Sequence, residues 1–327
     1  MTILSNLVSV APMMDRSDRH FRYLVRLITR YTLLYTEMIT TGAILNGDRS
    51  KLLDYSPAEK PLVLQLGGDN PTELAECARI AQDWGYDQVN LNVGCPSPRV
   101  QKGNFGACLM LDPPLVAKAV REMKQAVTIP VTVKHRIGVD DRDSYQDLVK
   151  FVQIVAQEGC DRLTIHARKA WLKGLSPKEN RTIPPLRYDL VYHLKEEFPH
   201  LSIEINGGIT QFSAIQEHLQ AVDAVMIGRA VYDNPYLLAR VDGEIYGDSF
   251  SIPTRQQVAA EMLPYIESQL HRGVRLNSIT RHLLNLFTGT PGSKAWKRYI
   301  TENAHLEGAN QNVIIQALTY VRIALVG

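Results

Sequence analysis

The stretch Gln88–Leu111, QVNLNVGCPSPRVQKGNFGACLML, contains the strand pattern from which the fold of this chain can be predicted. Its first residues alternate between apolar and polar side chains, with the polar ones at Asn90 and Asn92. Successive side chains of a β-strand point to opposite faces, so this alternation indicates a strand with two chemically different sides. We predict a strand over Gln88–Asn92, ended by Gly94.

The connection that follows this strand is unusually long. A clear helix start appears only at Asp112, which is followed by two prolines, and connections of about twenty residues are usually lids or binding loops. Cys95 stands near its beginning, before a proline that biases it toward an extended backbone. We therefore predict a reactive Cys95 on a mobile loop, with Gly103 and Gly106 as hinges.

Short apolar strands alternate with helical segments through most of the chain, which is typical of a parallel α/β fold. The predicted strands are Leu7–Ala11, Leu33–Thr36, Leu62–Leu66, Gln88–Asn92, Val131–Lys134, Arg162–His166, Ser202–Asn206 and Ala224–Ile227. Eight such units predict a (β/α)8 barrel. An open doubly wound sheet is the alternative, but no G-x-G-x-x-G follows the first strand.

Four of these strands place polar side chains on one common face. The polar pairs are Asn90 and Asn92, Thr132 and Lys134, Thr164 and His166, and Glu204 and Asn206. A barrel interior is normally filled with branched apolar residues, and barrel active sites lie at the carboxyl ends of the strands. Polar groups inside the predicted barrel therefore indicate a functional site at that end.

Beyond Gly247 the strand–helix alternation stops. The predicted helices there are Arg255–His271, Ser278–Phe287, Ser293–Thr301 and Gln311–Val326. We predict a barrel domain over residues 1–246 and a small all-α domain over 247–327. Between Glu267 and Glu302 the sequence has no acidic residue, and its basic residues without a counterion would attract a large anion. They are Arg272, Arg275, Arg281, Lys294, Lys297 and Arg298.

Composition limits the class of protein. The chain has 327 residues and a formal net charge of +2, and 45% of its residues are hydrophobic. The 4 cysteines lack C-x-x-C spacing, which argues against a disulfide framework or a structural zinc site and favours a reducing cytoplasm. Apolar runs are too short to span a membrane. We expect a cytoplasmic protein with no structural metal and no membrane segment.

Glycines follow the last two predicted strands. Asn206, Gly207 and Gly208 close the seventh strand, and Gly228 with Arg229 closes the eighth. Glycines let backbone N–H groups approach a phosphate, to which an arginine adds a bidentate contact, and phosphate sites recur at this place in barrels. The alternative is that the glycines only permit tight turns.

Other strand ends carry groups suited to a flat anionic ligand. Lys134 and His166 end the fifth and sixth strands, and Gln65 ends the third. A lysine can stabilise an anionic ring, while a histidine or glutamine can hydrogen-bond it. The segment Pro12-Met13-Met14 after the first strand offers backbone groups and thioethers, although structural packing explains the methionines nearly as well.

The role of Cys95 follows from ordinary thiol chemistry. A thiol with a pKa near 8.5 is mostly protonated at neutral pH yet gives up its proton readily, which suits a general acid. A nucleophile would need a partnering base, and no base is evident. The other cysteines, Cys77, Cys108 and Cys160, are interpreted as inert packing residues.

Several motifs resemble those of one known family. They are APMMD at 11–15, QLGG at 65–68, NLNVGCP at 90–96, KHRIG at 134–138, HAR at 166–168, NGGI at 206–209 and IGR at 227–229. This set resembles the tRNA-dihydrouridine synthases, which are FMN-dependent barrel enzymes, and it covers nearly the whole chain. The segments Lys178–Tyr188 and Pro291–Tyr299 resemble the bacterial A subfamily, which acts on D-loop uridines 20 and 20a.

The resemblance implies a reaction and its residues. Reduced flavin would give a hydride to C6 of uracil, NADPH would recharge the flavin, and Cys95 would protonate C5 from the opposite face. FMN would lie against residues that the strand ends had already selected. These are Pro12, Met13, Met14, Gln65, Lys134, His166, Asn206, Gly207, Gly208, Gly228 and Arg229. The protein is expected to act as a monomer.

A folded RNA substrate must have its target base turned out of the stack to reach a barrel mouth. The candidate tRNA contacts are Lys178 and Arg181 after the sixth strand and Lys294 and Lys297 in the tail, with Asn92 on the uracil or ribose. The nearby aromatics Trp171, Tyr188, Trp296 and Tyr299 favour RNA over a plain solvated face. Two alternatives are a small-molecule FMN oxidoreductase of the dihydroorotate or dihydropyrimidine dehydrogenase type and a non-catalytic RNA-binding protein.

Overall fold

The computed structural model describes residues 5–249 and 251–321. Its strands form one closed parallel barrel in chain order, β1 pairing with β2 and onward until β8 pairs with β1. They are β1 Val8–Val10, β2 Leu33–Thr40, β3 Leu62–Gly67, β4 Gln88–Val93, β5 Val131–Arg136, β6 Arg162–His166, β7 Ile203–Asn206 and β8 Ala224–Ile227. The predicted (β/α)8 barrel is confirmed.

Helices connect the strands on the outside of the barrel. In chain order they are α1 Arg19–Arg26, α2 Thr41–Asn46, α3 Arg49–Leu53, α4 Pro71–Trp84, α5 Pro98–Lys102, α6 Pro113–Ala126, α7 Tyr145–Ala156, α8 Tyr188–Glu197, α9 Phe212–His218, α10 Arg229–Asp233 and α11 Val241–Glu244. Short 3₁₀ turns lie at Pro57–Glu59, Gly106–Leu111, Glu179–Arg181, Pro235–Arg240 and Thr319–Val321. The apolar side chains of β4–β7 face these helices and form the main core.

The inside of the barrel has an apolar half and a polar half. Ala11, Leu33, Tyr35, Val63 and Met226 form a small buried cluster of their own, separate from the main core. The strands β4–β7 instead carry the buried polar residues predicted for the interior, which hydrogen-bond to one another. The polar half therefore marks one sector of the barrel for chemistry.

The tail is helical, as predicted. It contains α12 Arg255–His271, α13 Leu276–Thr280, α14 Ser293–Asn303 and α15 Asn312–Leu318. The predicted helix Ser278–Phe287 is wrong in extent, because α13 ends at Thr280 and the chain continues in turns. The end of the predicted helix Gln311–Val326 lies outside the described residues. The domain boundary at 246/247 stays a prediction.

The tail is docked on α1 through a cluster of polar contacts. His282, whose side chain is fully buried, donates from Nε2 to the Asp18 carboxylate at 2.9 Å, and Nδ1 of His20 lies 2.8 Å from the Tyr265 hydroxyl. The tail residue Arg272 pairs with Asp54 at 3.0 Å, so the prediction that it lacks a counterion is wrong. The carboxylate comes from a distant loop that sequence spacing could not reveal.

The described residues contain neither a membrane-spanning helix nor a cluster of metal-binding side chains. Within residues 5–249 and 251–321 no helix is both long enough and apolar enough to cross a membrane. In the same part of the chain no group of three or more His, Cys, Asp and Glu side chains is arranged to hold a metal ion.

Asp18→Ala is expected to loosen the docking of the tail. The carboxylate caps α1 through the N–H groups of His20 and Phe21 and also satisfies His282. Losing a cap costs ~1 kcal/mol and stranding a buried donor about 1–3 kcal/mol, so the free energy of unfolding should fall by roughly 2–4 kcal/mol in urea titrations. Asp48→Ala, which removes only the exposed cap of α3, is the matched control. Equal losses in the two variants would contradict the docking role of Asp18.

Candidate active site

Cys95 lies just beyond the end of β4, at the carboxyl end of the barrel. Its side chain is half-buried. The carboxamide oxygen of Asn92 accepts hydrogen bonds from the backbone N–H groups of Gly94 at 3.1 Å and Cys95 at 3.0 Å. The carbonyl of Cys95 in turn accepts from the Ala107 N–H at 2.9 Å. Both backbone groups of the cysteine are thus fixed by the protein.

The connection after β4 is more regular than the sequence predicted. It contains the one-turn helix α5 and the 3₁₀ turn Gly106–Leu111, whereas no helix was expected before Asp112. Pro98 occupies the first turn of α5, where its missing N–H costs nothing. Gln101 cross-links this loop to the next one by donating to the carbonyls of Pro96 and Leu172, both at 2.9 Å.

Gly106 serves close packing in this loop. Its φ of +75° is a left-handed conformation, and a Cβ there would lie 2.6 Å from the carbonyl oxygen of Cys95 and against Val100. Gly103 has no such constraint on φ. The structure therefore gives Gly106 a specific role that differs from the predicted hinge.

Arg136 is a site residue that the sequence analysis missed. Its buried guanidinium donates from Nε to the carbonyl of Gly94 at 2.9 Å, and from Nη1 to the carbonyls of Lys169 and Asn180 at 3.0 Å each. It therefore ties the Cys95 loop to the loop after β6. Arg136 has the same strand parity as Lys134 in the KHRIG motif, which is the signal that could have found it.

Burial and basic neighbours act in opposite directions on the Cys95 thiol. Burial raises its pKa above the ordinary cysteine value, and a backbone hydrogen bond from Ser97 together with the positive charges of Arg136, Arg181 and Lys134 offsets part of that rise. The net shift is upward. The thiol is therefore protonated at neutral pH, as a proton donor requires.

A group of basic side chains surrounds His166 at the end of β6. Burial lowers the pKa of His166 well below its ordinary value, and the positive charges of Arg136, Lys134, Arg168 and Arg229 lower it further. Desolvation also lowers the pKa of Lys134 to about 8, although its Nζ donates to the Asn206 carboxamide at 3.0 Å. Burial is the largest cause of both shifts, and neighbouring positive charges add to it.

Unpartnered nitrogen atoms face the same region. Nδ1 of His166 and the Nε atoms of Arg168 and Arg181 are buried without a hydrogen-bond partner among the described residues. Buried polar groups are nearly always satisfied, so these atoms indicate a ligand position. The neighbouring Gly207 and Gly208 have φ of +116° and +72°, as expected where a backbone turns tightly. This donor set fits a phosphate group.

The structure separates the residues predicted for RNA on the loop after β6. Arg181 is half-buried and turned toward the basic group, where Arg229 donates to its carbonyl at 3.3 Å, while Lys178 is exposed. Tyr188 donates to the Gly207 carbonyl at 2.5 Å, so it supports the glycine turn.

In the tail, Lys294 is exposed, whereas Lys297 is half-buried and donates to the Asn285 carboxamide at 2.7 Å. Trp296 is fully buried beside Phe287 and donates its Nε1–H to the Leu283 carbonyl. The ring of Trp296 therefore fills the core of the tail, and this residue does not add to the aromatic signal that favoured RNA. The helical pattern of the sequence alone could not show that Lys294 is exposed and Lys297 is half-buried.

The segment after β1 forms a closed turn near β8. The N–H of Met13 donates to the Ser17 hydroxyl, and its carbonyl accepts from the N–H groups of Arg16 and Ser17. The backbone of Met13, which the sequence predicted to be available to a ligand, is therefore already hydrogen-bonded within the turn. Pro12 is half-buried and Met14 is 53% exposed. A Cβ on Gly228 would meet only Ala11 and the Met13 sulfur, at 3.6 and 3.9 Å, so this corner is open.

Residues 9–321 match the family model described as dihydrouridine synthase. The chain belongs to the dihydrouridine synthase family. The family resemblance predicted from the motifs is thereby confirmed, and with it the prediction that the protein is an enzyme.

Relatives match over nearly their whole length. The chain is 64% identical to the tRNA-dihydrouridine(20/20a) synthase of Synechocystis sp., covering 96% of this chain and 94% of the relative. It is 57% identical to the protein of that name from Shewanella oneidensis, covering 99% and 96%. For the Escherichia coli K12 relative, also a tRNA-dihydrouridine(20/20a) synthase, the values are 56% identity, 96% and 91%.

A solved structure shares the fold. A 2-naphthoyl-CoA reductase complex matches with a TM-score of 0.55 and 13% identity. The match covers 73% of this chain and 50% of the other. At this identity the likeness concerns the barrel fold alone.

Gly106→Ala is expected to disturb the Cys95 loop. The added methyl group would strain a left-handed φ and displace Val100 or the Cys95 carbonyl, at a cost of roughly 1–3 kcal/mol. Thermal unfolding should fall, and the rate of Cys95 alkylation by iodoacetamide should change. Gly42→Ala in α2, where a Cβ meets nothing within 4 Å, should leave both unchanged or raise stability slightly. Identical behaviour of the two variants would exclude the packing role of Gly106.

Proposed function

We propose that this protein reduces the C5=C6 bond of uridines 20 and 20a in the D-loop of tRNA, with FMN as its bound cofactor and NADPH as the reductant. The observation that carries the proposal is the juxtaposition of a protonated thiol, Cys95, with an anion-binding group around His166. The names of the relatives support the choice of substrate. Such an enzyme would work in the cytoplasm, and we propose that it acts as a monomer.

The residues at the barrel mouth fit three parts of FMN, namely its phosphate, its ring and the apolar edge of that ring. The unpartnered nitrogens of His166, Arg168 and Arg181 suit its phosphate, with Arg229 and the turn at Gly207-Gly208 beside them. Gln65 and Lys134, at the ends of β3 and β5, would hold the ring, with Asn206 behind Lys134. The open corner between Pro12–Met14 and Gly228 would take its apolar edge.

When bound, reduced FMN supplies a hydride for C6 of uracil, a chemistry that belongs to the cofactor. The chain supplies the proton: the Sγ–H of Cys95 passes to C5, and the thiolate regains a proton from water. Lys134, with a pKa of about 8, would gain positive charge near an anionic ring. Asn92 keeps one amide hydrogen beyond its bond to Gln65, and we propose that it contacts the uracil or ribose.

The RNA would be held by exposed basic groups outside the mouth. Lys178 lies on the loop after β6, next to the inward-facing Arg181. Lys294 lies on α14 of the tail, and Lys297 can reach a phosphate only by leaving Asn285. We therefore rank Lys294 above Lys297 as a phosphate contact, because Lys294 is exposed.

Cys95→Ala is expected to keep FMN and lose dihydrouridine formation by about 10²–10⁴-fold, the usual contribution of a general acid. Product should be measured by mass spectrometry of tRNA nucleosides and FMN by absorbance. Cys108→Ala, which removes another half-buried thiol, is the matched control. Because burial raises the thiol pKa and the acid acts in its protonated form, activity should persist through neutral pH and fall as pH rises past that pKa. Undiminished turnover by Cys95→Ala would remove the proposed acid.

Lys294→Glu tests whether the substrate is RNA. The KM for tRNA should rise, and the salt dependence of binding should lose a slope of ~1, the effect of one phosphate contact. Flavin reduction by NADPH should not change. Lys150→Glu makes the same charge change at an exposed position on α7 and should have no effect. If Lys294→Glu left tRNA turnover intact, a small-molecule flavin oxidoreductase would be favoured.

A further inference from the structure

A continuous chain of side-chain hydrogen bonds runs inside the polar half of the barrel. It starts at Thr132 on β5, passes through the three carboxamides of Asn90, Gln65 and Asn92, and ends at the backbone of Cys95. Asn90 Nδ2 donates to Thr132 Oγ1 at 2.8 Å, and Gln65 Nε2 donates to Asn90 Oδ1 at 2.8 Å. Asn92 Nδ2 donates to Gln65 Oε1 at 2.9 Å.

The last link of this chain reaches the backbone of the cysteine. Asn92 Oδ1 accepts from the N–H groups of Gly94 and Cys95. Thr132, Asn90 and Gln65 are at most 1% exposed and Asn92 is 9% exposed, so little water competes for these bonds. The chain of bonds therefore has a single protein-defined arrangement.

The direction of every bond is fixed at the cysteine end. The backbone N–H groups of Gly94 and Cys95 can only donate, so Asn92 must present its oxygen to them. The NH₂ group of Asn92 must then face Gln65, whose carboxamide oxygen accepts the hydrogen bond. A carboxamide has one oxygen and one NH₂ group, so each amide sets the orientation of the next.

The direction is fixed equally at the threonine end. Thr132 donates its own hydroxyl hydrogen to the Val89 carbonyl at 3.2 Å, which leaves Oγ1 as an acceptor. Asn90 must therefore turn its NH₂ group to Thr132 and its oxygen to Gln65. Both ends require the same donor-to-acceptor direction, and every hydrogen bond between Thr132 and Cys95 has that direction.

We propose that Thr132 and Asn90 are positioning residues for Cys95. They touch neither the thiol nor the mouth, and they act by orienting the amides of Gln65 and Asn92. Without the Thr132 oxygen, Asn90 would keep a buried donor with no acceptor, and turning its amide over would place two oxygens or two NH₂ groups face to face further along. The catalytic part of this inference rests on the proposed function.

The test is a comparison of Thr132→Val with Thr132→Ser in the FMN-loaded protein. Valine has the shape of threonine without the acceptor, and serine restores the acceptor without the methyl group. For Thr132→Val we expect kcat on tRNA to fall by about tenfold, within the ~10²-fold that a 1 Å misplacement can cause, with KM little changed. The rate of Cys95 alkylation by iodoacetamide at fixed pH should shift several-fold. Thr132→Ser should return both values to within about twofold of wild type.

Thr29→Val is the matched control. Thr29 is 1% exposed and lies on the connection that leads into the amino end of β2, where its hydroxyl bonds to Thr32 and Asp242 and has no link to Cys95. The variant should alter neither the alkylation rate nor kcat. If Thr132→Val does not fold, as judged by thermal unfolding, Thr132→Ala removes the same oxygen with the same expected result.

Three outcomes would overturn the inference. They are a folded Thr132→Val protein with wild-type kcat and alkylation rate, a Thr132→Ser protein as impaired as Thr132→Val, and a Thr29→Val protein with the same defect. A wild-type protein that makes no dihydrouridine would instead refute the proposed function. The alkylation rates would still decide the role of Thr132.

Discussion

The close packing of basic side chains around His166 determines which kind of ligand the mouth of the barrel can bind. Every charged neighbour that shifts the pKa of His166 is basic, and desolvation adds to their effect. Buried like charges repel strongly where water is excluded. An anion bound among them relieves that repulsion, and a ligand that binds only the folded chain also stabilises it. The site is therefore organised for an anionic ligand before any ligand arrives.

A buried carboxylate lies below the basic group. Glu204 lies deeper inside the barrel, where Ser9 Oγ and Thr164 Oγ1 donate to its carboxylate at 2.7 and 2.5 Å. Those two hydrogen bonds satisfy the carboxylate, whose electrostatic effect on the basic group is to raise the pKa of Lys134. The same strands, β4–β7, thus hold a satisfied anion at depth and unsatisfied donors at the mouth. This arrangement keeps the upper site attractive to a phosphate.

The sequence predicted the barrel well because parallel strands have a strong local signal. Short apolar runs with period-two alternation are decided within five or six residues, so the strands β6 and β8 agree with prediction to the residue. Helix α12 was also predicted to the residue, since Thr254 caps its first turn. Local chemistry was sufficient for these elements.

Long-range contacts explain what the sequence could not predict. Arg136 matters because its guanidinium meets carbonyls of two other loops, and Arg272 is neutralised by Asp54, far away in the chain. Trp296 stands among basic residues and counted toward an RNA-binding tail, yet its side chain is fully buried in the core of the tail. Helix α5 was missed because a single turn is stabilised mostly by its tertiary contacts. In each case a distant partner decides the role.

The state of Cys95 decides between the two roles that thiol chemistry left open. A nucleophilic thiol needs a lowered pKa, usually from a nearby base or from donors aimed at its sulfur. Here burial raises the thiol pKa, and it outweighs both a backbone hydrogen bond from Ser97 and three positive neighbours, which lower that pKa. Those neighbours still stabilise the thiolate left after proton transfer, so they favour release of the proton once an acceptor carbon is in place. A thiol that is held protonated, yet stabilised after ionisation, is suited to donate a proton to carbon.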